Sequence, residues 1–410
     1  MASSVSQTLY GKGDGDTILL SKGHPNPKLL PLDALATALE TSCTRSQAPT
    51  THMQYGSPYG LTELRKEIAR MLREETGSTT AREENIMITN GSGQALDMIC
   101  ALMLRRGDLV VVENPTYFLA FYTFRDYGLH VAEIDTDEHG LQVEILEQRL
   151  GSDATFRPAL VYTVPICQNP TGVTLPRERM RKLVELSRRY HFKIASDEVY
   201  GMLSFAEAPP PSLMAFDDPQ QPTVLAMNSF SKILGPGMRL GWIETHPSHI
   251  ERLVSSGLLL SGGGLNPFTS AIVVELLRSG FQQQHVSRLR LHYAACCHAM
   301  CQTLDECLPP EIAADTHYVH PEGGFFLWLR LPSWVDTEQL LELAVAEHGV
   351  SFFAGARFTS VPDSQRHTLR LCFAWLDRDH IVAGVRRLGA AIQAYARQHP
   401  KPHPTNKPAL

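Results

Sequence analysis

Residues 223–243 read Thr-Val-Leu-Ala-Met-Asn-Ser-Phe-Ser-Lys-Ile-Leu-Gly-Pro-Gly-Met-Arg-Leu-Gly-Trp-Ile. The runs Thr223 to Met227 and Leu240 to Ile243 are short, continuous and apolar, the pattern of strands buried on both faces. Between them Ser229 to Arg239 is a turn rich in Gly and Pro that holds one lysine, Lys232. Loops at strand ends collect chemistry. Lys232, flanked by the hydroxyls of Ser229 and Ser231 and followed by Arg239, has the groups needed to form an imine with an aldehyde cofactor that carries a phosphate. It also reads as a solvated lysine in a turn, and the stretch alone leaves both readings open.

Outward from this stretch, residues 85–244 repeat one unit, a short apolar run followed by a helix-length amphipathic one. The spacing predicts strands at Ile86 to Thr89, Leu109 to Glu113, Leu129 to Ile134, Ala159 to Thr163 and Lys193 to Ser196, besides the two already quoted. Helices are predicted at Gln94 to Leu104, Phe118 to Arg125, Val143 to Leu150 and Pro176 to Tyr190. Short connections and continuous apolar strands predict an α/β fold, a mainly parallel seven-stranded sheet covered by helices on both faces. Ligands on such sheets bind beyond the carboxyl ends of the strands.

The flanks differ. Residues 1–28 read as an irregular arm, and Pro31 to Glu40 and a segment from about Leu61 as helices. Long helical patterns at Pro267 to Leu277 and Phe281 to Cys307 precede strands at Phe325 to Leu331, Val350 to Phe353 and Leu369 to Phe373, with helices at Thr337 to His348 and Arg378 to Arg397. Such a mixture predicts a smaller α+β domain. The expected division is an arm and first helix over 1–45 packed with the small domain, a large domain over 46–265, a small domain over 266–398 and a disordered tail over 399–410.

Composition bounds the function. A chain of 410 residues with 43% hydrophobic and 20% charged residues is an ordinary globular protein. A net charge of −6 argues against nucleic acid or an anionic membrane as partner, and the cytoplasm is the expected compartment. The eight cysteines read as reduced packing residues; Cys296, Cys297 and Cys301 are expected to project in different directions from a helix and to bind no metal.

Three further loops follow predicted strands of the same sheet. Gly91-Ser92-Gly93 opens a helix, so its N–H groups and the helix dipole suit an anion, although a tight strand-to-helix turn reads the same way. Gln168-Asn169-Pro170-Thr171-Gly172 offers an amide to a ring oxygen, or is a plain turn. Asp197-Glu198-Val199-Tyr200 places a carboxylate where it can keep a pyridine nitrogen protonated, or is a capping acid beside a packed tyrosine. An imine-forming lysine, a ring-nitrogen acid, ring-oxygen donors and a phosphate cup on one sheet edge make a coherent set.

On Asn169-Pro170-Thr171-Gly172, Asp197-Glu198-Val199-Tyr200 and Ser229-Phe-Ser-Lys232 with Arg239, the sequence resembles the class I/II, fold-type I aminotransferases that use pyridoxal 5′-phosphate. Within them it looks most like the aminoadipate, aromatic and valine–pyruvate branch. The resemblance runs from about Gly23 to Ala390, and the steps of 28 residues from Asn169 to Asp197 and 35 from Asp197 to Lys232 suit that family. It implies that Lys232 carries the cofactor, Asp197 pairs with its ring nitrogen, and Asn169 and Tyr200 meet its phenolic oxygen. Gly91, Ser92, Gly93, Ser229, Ser231 and Arg239 would hold the phosphate, and Tyr117 would stack on the ring. Tyr55 would reach the phosphate of a neighbouring subunit, which implies a homodimer with shared sites. Arg370, alone in the apolar run Leu369 to Phe373, would take the substrate α-carboxylate, with the Gly23 backbone beside it.

Two positions depart from the family pattern: Gly93, where relatives often place a polar side chain, and Cys296-Cys297, where they often show arginines. The expected activity is exchange of an amino group between an amino acid and a 2-oxo acid. The alternatives are elimination, cyclisation or decarboxylation on the same cofactor and, more remotely, an effector-sensing regulator, which would carry a basic DNA-binding domain ahead of Gly23 where only 22 residues stand. Few cations in the arm beyond Lys12 and Lys22, with none at arginine before Arg45, favour aromatic or aliphatic substrates. Tyr10, Leu19 and Leu20 either line an apolar pocket or pack.

Overall fold

The computed structural model describes residues 16–44 and 52–401. Tyr10, Lys12, Arg45 and residues 402–410 of the tail lie outside the described residues. The arm contributes β1 (Ile18–Leu19), which pairs in parallel with a strand more than 300 residues further on. The central sheet is built from β2 (Ile86–Thr89), β3 (Leu109–Asn114), β4 (His130–Asp137), β5 (Gly140–Leu141), β6 (Pro158–Thr163), β7 (Lys193–Asp197), β8 (Val224–Ser229) and β9 (Gly241–Thr245).

The strand order is β2-β9-β8-β7-β6-β3-β4-β5. All seven predicted strands are present, and the sheet gains an eighth, the two-residue β5, which turns back on β4 through a Gly140 corner. Strands β8, β7, β6, β3 and β4 run parallel, while β9 is antiparallel to both neighbours. Its direction matters for function. Thr89 and Ser229 both pair with Gly241, so the residues just before β9 lie at the same edge as the residues just after β2 and β8. Arg239 therefore arrives at the edge where Gly91 and Lys232 leave. Most strands are buried, for example at Ile86, Val110, Val161, Ile194 and Leu225, while β4 toward the sheet edge buries only Ile134, and helices Ser92–Met103 and Arg177–Tyr190 lay apolar faces on the sheet.

A second sheet follows the long helix Phe281–Cys307: β10 (Phe326–Arg330), β12 (Phe353–Ala354) and β13 (Thr368–Cys372), ordered β10-β13-β12 and antiparallel. The predicted strand Val350 to Phe353 is divided. Val350–Ser351 forms β11 against the arm, and Phe353 joins β13 beside Arg370. Phe352 between them is buried, so the chain changes sheets without exposing the ring. The arm is stitched to this region by the Ile18 N–H to Gly349 O (2.8 Å), by the Cys372 N–H to Leu20 O (2.7 Å), and by Asn26 and Lys28 on Asp377. Leu20 is fully buried in the core, so of its two readings the structure gives packing.

The sequence did not single out two short helices, Pro247–Val254 and Gly257–Gly262. All eight cysteines are free thiols, most of them buried. The expectation that Cys296, Cys297 and Cys301 diverge is corrected in part. Cys297 and Cys301 are one helical turn apart and share a face, with the Cys297 thiol donating to Pro321 O (3.7 Å), whereas Cys296 turns toward the His292 ring at 3.5 Å.

Candidate active site

A cavity of about 310 Å³ opens at the carboxyl edge of the central sheet. Its lining includes Gly23, Gly91, Ser92, Gly93, Tyr117, Asn169, Asp197, Tyr200, Ser229, Ser231, Lys232, Arg239 and Arg370. Of the residues expected to hold cofactor or substrate, Tyr55 alone lies outside this lining, 85% exposed.

One end of the cavity is made of backbone and small side chains. Gly91 has φ +91°, a conformation that L side chains rarely adopt, and a Cβ there would stand 3.1 Å from Arg239 Nη2. The Arg239 guanidinium donates to Asn90 O (3.0 Å) and Pro236 O (3.2 Å), which fixes it over the first turn of the helix Ser92–Met103. The Ser231 N–H donates to Ser229 Oγ (3.0 Å), and Ser229 Oγ donates to Ser231 Oγ (2.9 Å). Helix N–H groups, a guanidinium and two hydroxyls converge on one point, an anion cup. A Cβ at Gly93 would meet nothing within 4 Å, so packing does not force glycine there.

In the middle stand a buried acid and a buried amine. Asp197 Oδ2 accepts from Tyr162 OH at 3.0 Å, and Oδ1 is buried without a partner. Burial pushes the Asp197 carboxyl up to about 6, against the opposing pull of Tyr162 and Lys232. Burial likewise pulls the Lys232 ammonium down to about 8; Cys372 and Asp197 hold it up, Arg370 and Arg239 push it down. Its Nζ lies 5.6 Å from the Phe325 ring centre and 5.8 Å from that of Tyr200.

At the far end Arg370 is buried at the centre of the antiparallel sheet, facing Trp328 and Phe353 in register. Nη1 donates to Asn169 Oδ1 (2.8 Å) and Nη2 to Ser21 O (3.1 Å), while Nε has no partner. The rings of Phe326, Phe353 and Phe358 stand 4.0, 4.8 and 5.0 Å from the guanidinium carbon. Burial lowers its pKa to about 10, so it stays charged at neutral pH. A Cβ at Gly23 would lie 2.8 Å from the Phe326 ring and 3.5 Å from Arg370 Nη2, so glycine keeps the approach to the guanidinium clear. Because Asn169 Oδ1 is engaged by Arg370, its amide nitrogen is the end left to donate into the cavity.

Against this geometry stand the comparisons with known proteins. The family model described as aminotransferase class I and II matches residues 16–388. The chain belongs to that family. It is 32% identical to aromatic-amino-acid aminotransferase 1 of Thermococcus litoralis over 96% of this chain and 92% of the relative. Among solved structures, Pyrococcus horikoshii kynurenine aminotransferase is 33% identical, with a TM-score of 0.86 over 96% of this chain and 95% of that one. The α-aminoadipate aminotransferase of Thermus thermophilus, solved with N-(5′-phosphopyridoxyl)-L-leucine, is 29% identical, with a TM-score of 0.83 over 97% of this chain and all of that one. The fold is that of the fold-type I enzymes, the activity is amino-group transfer between amino acids and 2-oxo acids, and the cofactor is pyridoxal 5′-phosphate.

The cavity of this aminotransferase fits that cofactor by its own chemistry. The anion cup suits a phosphate, and the orphaned Asp197 Oδ1 suits a protonated ring nitrogen, which would also relieve the cost of a buried acceptor left unpaired.

Sequence reasoning missed several contributors. Phe326 and Phe353 line the cavity from the antiparallel sheet, and Phe118 and Leu119 from the segment after Tyr117. Glu113 is fully buried and accepts from Thr163 Oγ1 (2.6 Å), the Val164 N–H (3.2 Å) and Gln168 Nε2 (3.0 Å); Gln168 Nε2 also donates to Pro115 O (2.8 Å). It thus ties the turn carrying Tyr117 to the loop carrying Asn169. An acid ending an apolar strand was the available signal. His24, next to Gly23, also lines the cavity.

Proposed function

We propose that amino transfer in this protein runs through Lys232 as the proton-carrying amine, with an aromatic or aliphatic amino acid as donor. Pyridoxal phosphate, when bound, accepts the electron pair released when a bond at the substrate Cα breaks. Gly91, Ser92, Gly93, Ser229, Ser231 and Arg239 would hold its phosphate, Asp197 its ring nitrogen, Asn169 and Tyr200 its ring oxygen, and Tyr117 one face of its ring. Arg370 binds the α-carboxylate on its free edge and thereby presents Cα to Lys232. Lys232 Nζ, neutral once free, removes the Cα proton. The lowered pKa of Lys232 supports this, because an amine that loses its charge near pH 8 is a competent base close to neutrality. Phe326, Phe353, Phe118 and Leu119 around the carboxylate site support a substrate side chain that is uncharged and largely aromatic or aliphatic.

The observation that carries the reading is the pairing of a buried amine with a buried acid whose one free oxygen has no partner in the same cavity. The test is Lys232→Ala: the variant is expected to lose the visible band given by added pyridoxal phosphate and to lose turnover by ~10⁴-fold. Retention of both would remove Lys232 from the mechanism.

The reading includes a homodimer. Met53 (71% exposed) and Tyr55 lie on a segment joined to the end of helix Gly257–Gly262 by the Gly264 N–H to Gly56 O bond (3.1 Å), and that helix exposes Leu258 (61%) and Leu260 (71%). These neighbouring apolar side chains suit a second copy, to whose phosphate site Tyr55 would reach. The reaction is set in the cytoplasm, where a reducing milieu suits free cysteines. No helix among the described residues is long and apolar enough to cross a membrane.

A further inference from the structure

Three residues that line this cavity each carry a buried polar atom without a hydrogen-bond partner: Asp197 Oδ1, Arg370 Nε and His24 Nδ1. The first two have assigned ligands, a ring nitrogen and an α-carboxylate. The third has none. The His24 ring makes an edge contact with Trp375, whose centre is 6.2 Å away, and the His24 backbone N–H donates to Lys22 O (2.9 Å), which fixes the turn of the arm that carries the imidazole.

We infer that His24 is a specificity-determining residue that hydrogen-bonds an uncharged polar group, a hydroxyl or an amide, on the side chain of the substrate. This deepens the amino-transfer reading and rests on it. His24 lines the same cavity as Lys232 and Arg370, the groups assigned to the substrate Cα proton and α-carboxylate, and Lys22 is a further cation near it. Burial and these three cations pull its pKa down to about 4, so at neutral pH it is an uncharged donor or acceptor. The cations that line the cavity among the described residues are Lys232, Arg239 and Arg370, each already engaged, and the Lys22 ammonium rests 3.7 Å from the Trp375 ring centre. Among the described residues no cation is left for a side-chain carboxylate, whereas a hydroxyl or amide satisfies the neutral imidazole. A site whose buried polar group goes unpaired discriminates strongly against the apolar isostere.

The experiment is calorimetric binding to the loaded enzyme of unreactive acids that lack the amino group, in two near-isosteric pairs: 3-(4-hydroxyphenyl)propanoate against 3-phenylpropanoate, and 5-amino-5-oxopentanoate against hexanoate. At least one polar member is expected to bind ~10-fold or more tighter than its apolar mate. His24→Leu should abolish that ratio, and His24→Gln should keep most of it. Equal affinities within both pairs in the wild type would overturn the inference, even should the leucine variant fail to fold. So would an unchanged ratio in His24→Leu, or an equal loss for both members, which marks a purely structural role. Binding needs no turnover, so failure of the amino-transfer reading shows separately, as absence of amino-group exchange when an amino acid and a 2-oxo acid are supplied.

Discussion

The edge of the eight-stranded sheet and the wall that faces it, made by the arm and the three-stranded sheet, achieve recognition by different means. On the sheet edge each group lies within six residues of a strand end: Gly91 after β2, Tyr117 after β3, Asn169 after β6, Asp197 closing β7, Lys232 after β8 and Arg239 just before β9. Parallel strands deliver such residues to one line by construction. On the facing wall Gly23, His24, Phe326, Phe353 and Arg370 come from the arm and from β10, β12 and β13, and only tertiary contacts such as Ser21 O on Arg370 bring them together. The first wall is built for an anion and a charged ring, the second for a carboxylate in an aromatic setting. Specificity can therefore change on the second wall while the chemistry of the first stays fixed.

Three substitutions sharpen that contrast. Asp197→Asn, on the sheet edge, should lower kcat by ~10²- to 10³-fold for every amino acid alike, because it removes a charge interaction common to all substrates. It should also raise the stability of the cofactor-free protein more at pH 8 than at pH 4.5. The carboxyl binds its proton more tightly when folded, near 6, than at its ordinary 3.8, so its contribution to stability falls as pH rises through that window. Thermal denaturation at the two pH values checks the sign.

Arg370→Lys, on the facing wall, should lower kcat/KM by ~10²-fold through KM, with the visible band of the bound cofactor unchanged. A loss of the band instead would mean that the two walls are not separable.

The smallest effect couples them. In the cofactor-free protein, modification of Lys232 by an amine-selective reagent should titrate with a midpoint near 8. Asp197→Asn removes a charge that holds the ammonium form and should lower the midpoint; Arg370→Gln removes one that opposes it and should raise it. Peptide mapping of the labelled lysine at several pH values reads both shifts, and a midpoint near the ordinary 10.5 would contradict the burial of this amine.

The legibility of the sequence follows the same division. Period and length located all seven main strands because most of them are continuous apolar runs buried in the sheet, and chemistry-bearing residues at their ends stood out against them. Arg370 was visible for the same reason, a lone cation in an apolar strand. His24, Phe326 and Phe353 were not, since a histidine in a Gly/Pro-rich arm and phenylalanines in a strand are ordinary until the fold aims them into one cavity. The two-residue strands β1 and β5 exist through pairing with distant or turn-linked partners, and no local pattern announces them. Cys297 and Cys301 show a plainer lapse, since a spacing of four on a helix already places two side chains on one face.

The central claim, that this cavity moves amino groups rather than releasing them, is tested most directly by supplying the loaded enzyme with a ¹⁵N-labelled aromatic amino acid and an unlabelled 2-oxo acid and following the label by mass spectrometry. The account predicts label in the newly formed amino acid, a stoichiometric 2-oxo acid from the donor, and no free ammonia. Label recovered as ammonia, or loss of carbon dioxide or a side-chain fragment without amino-group exchange, would contradict it.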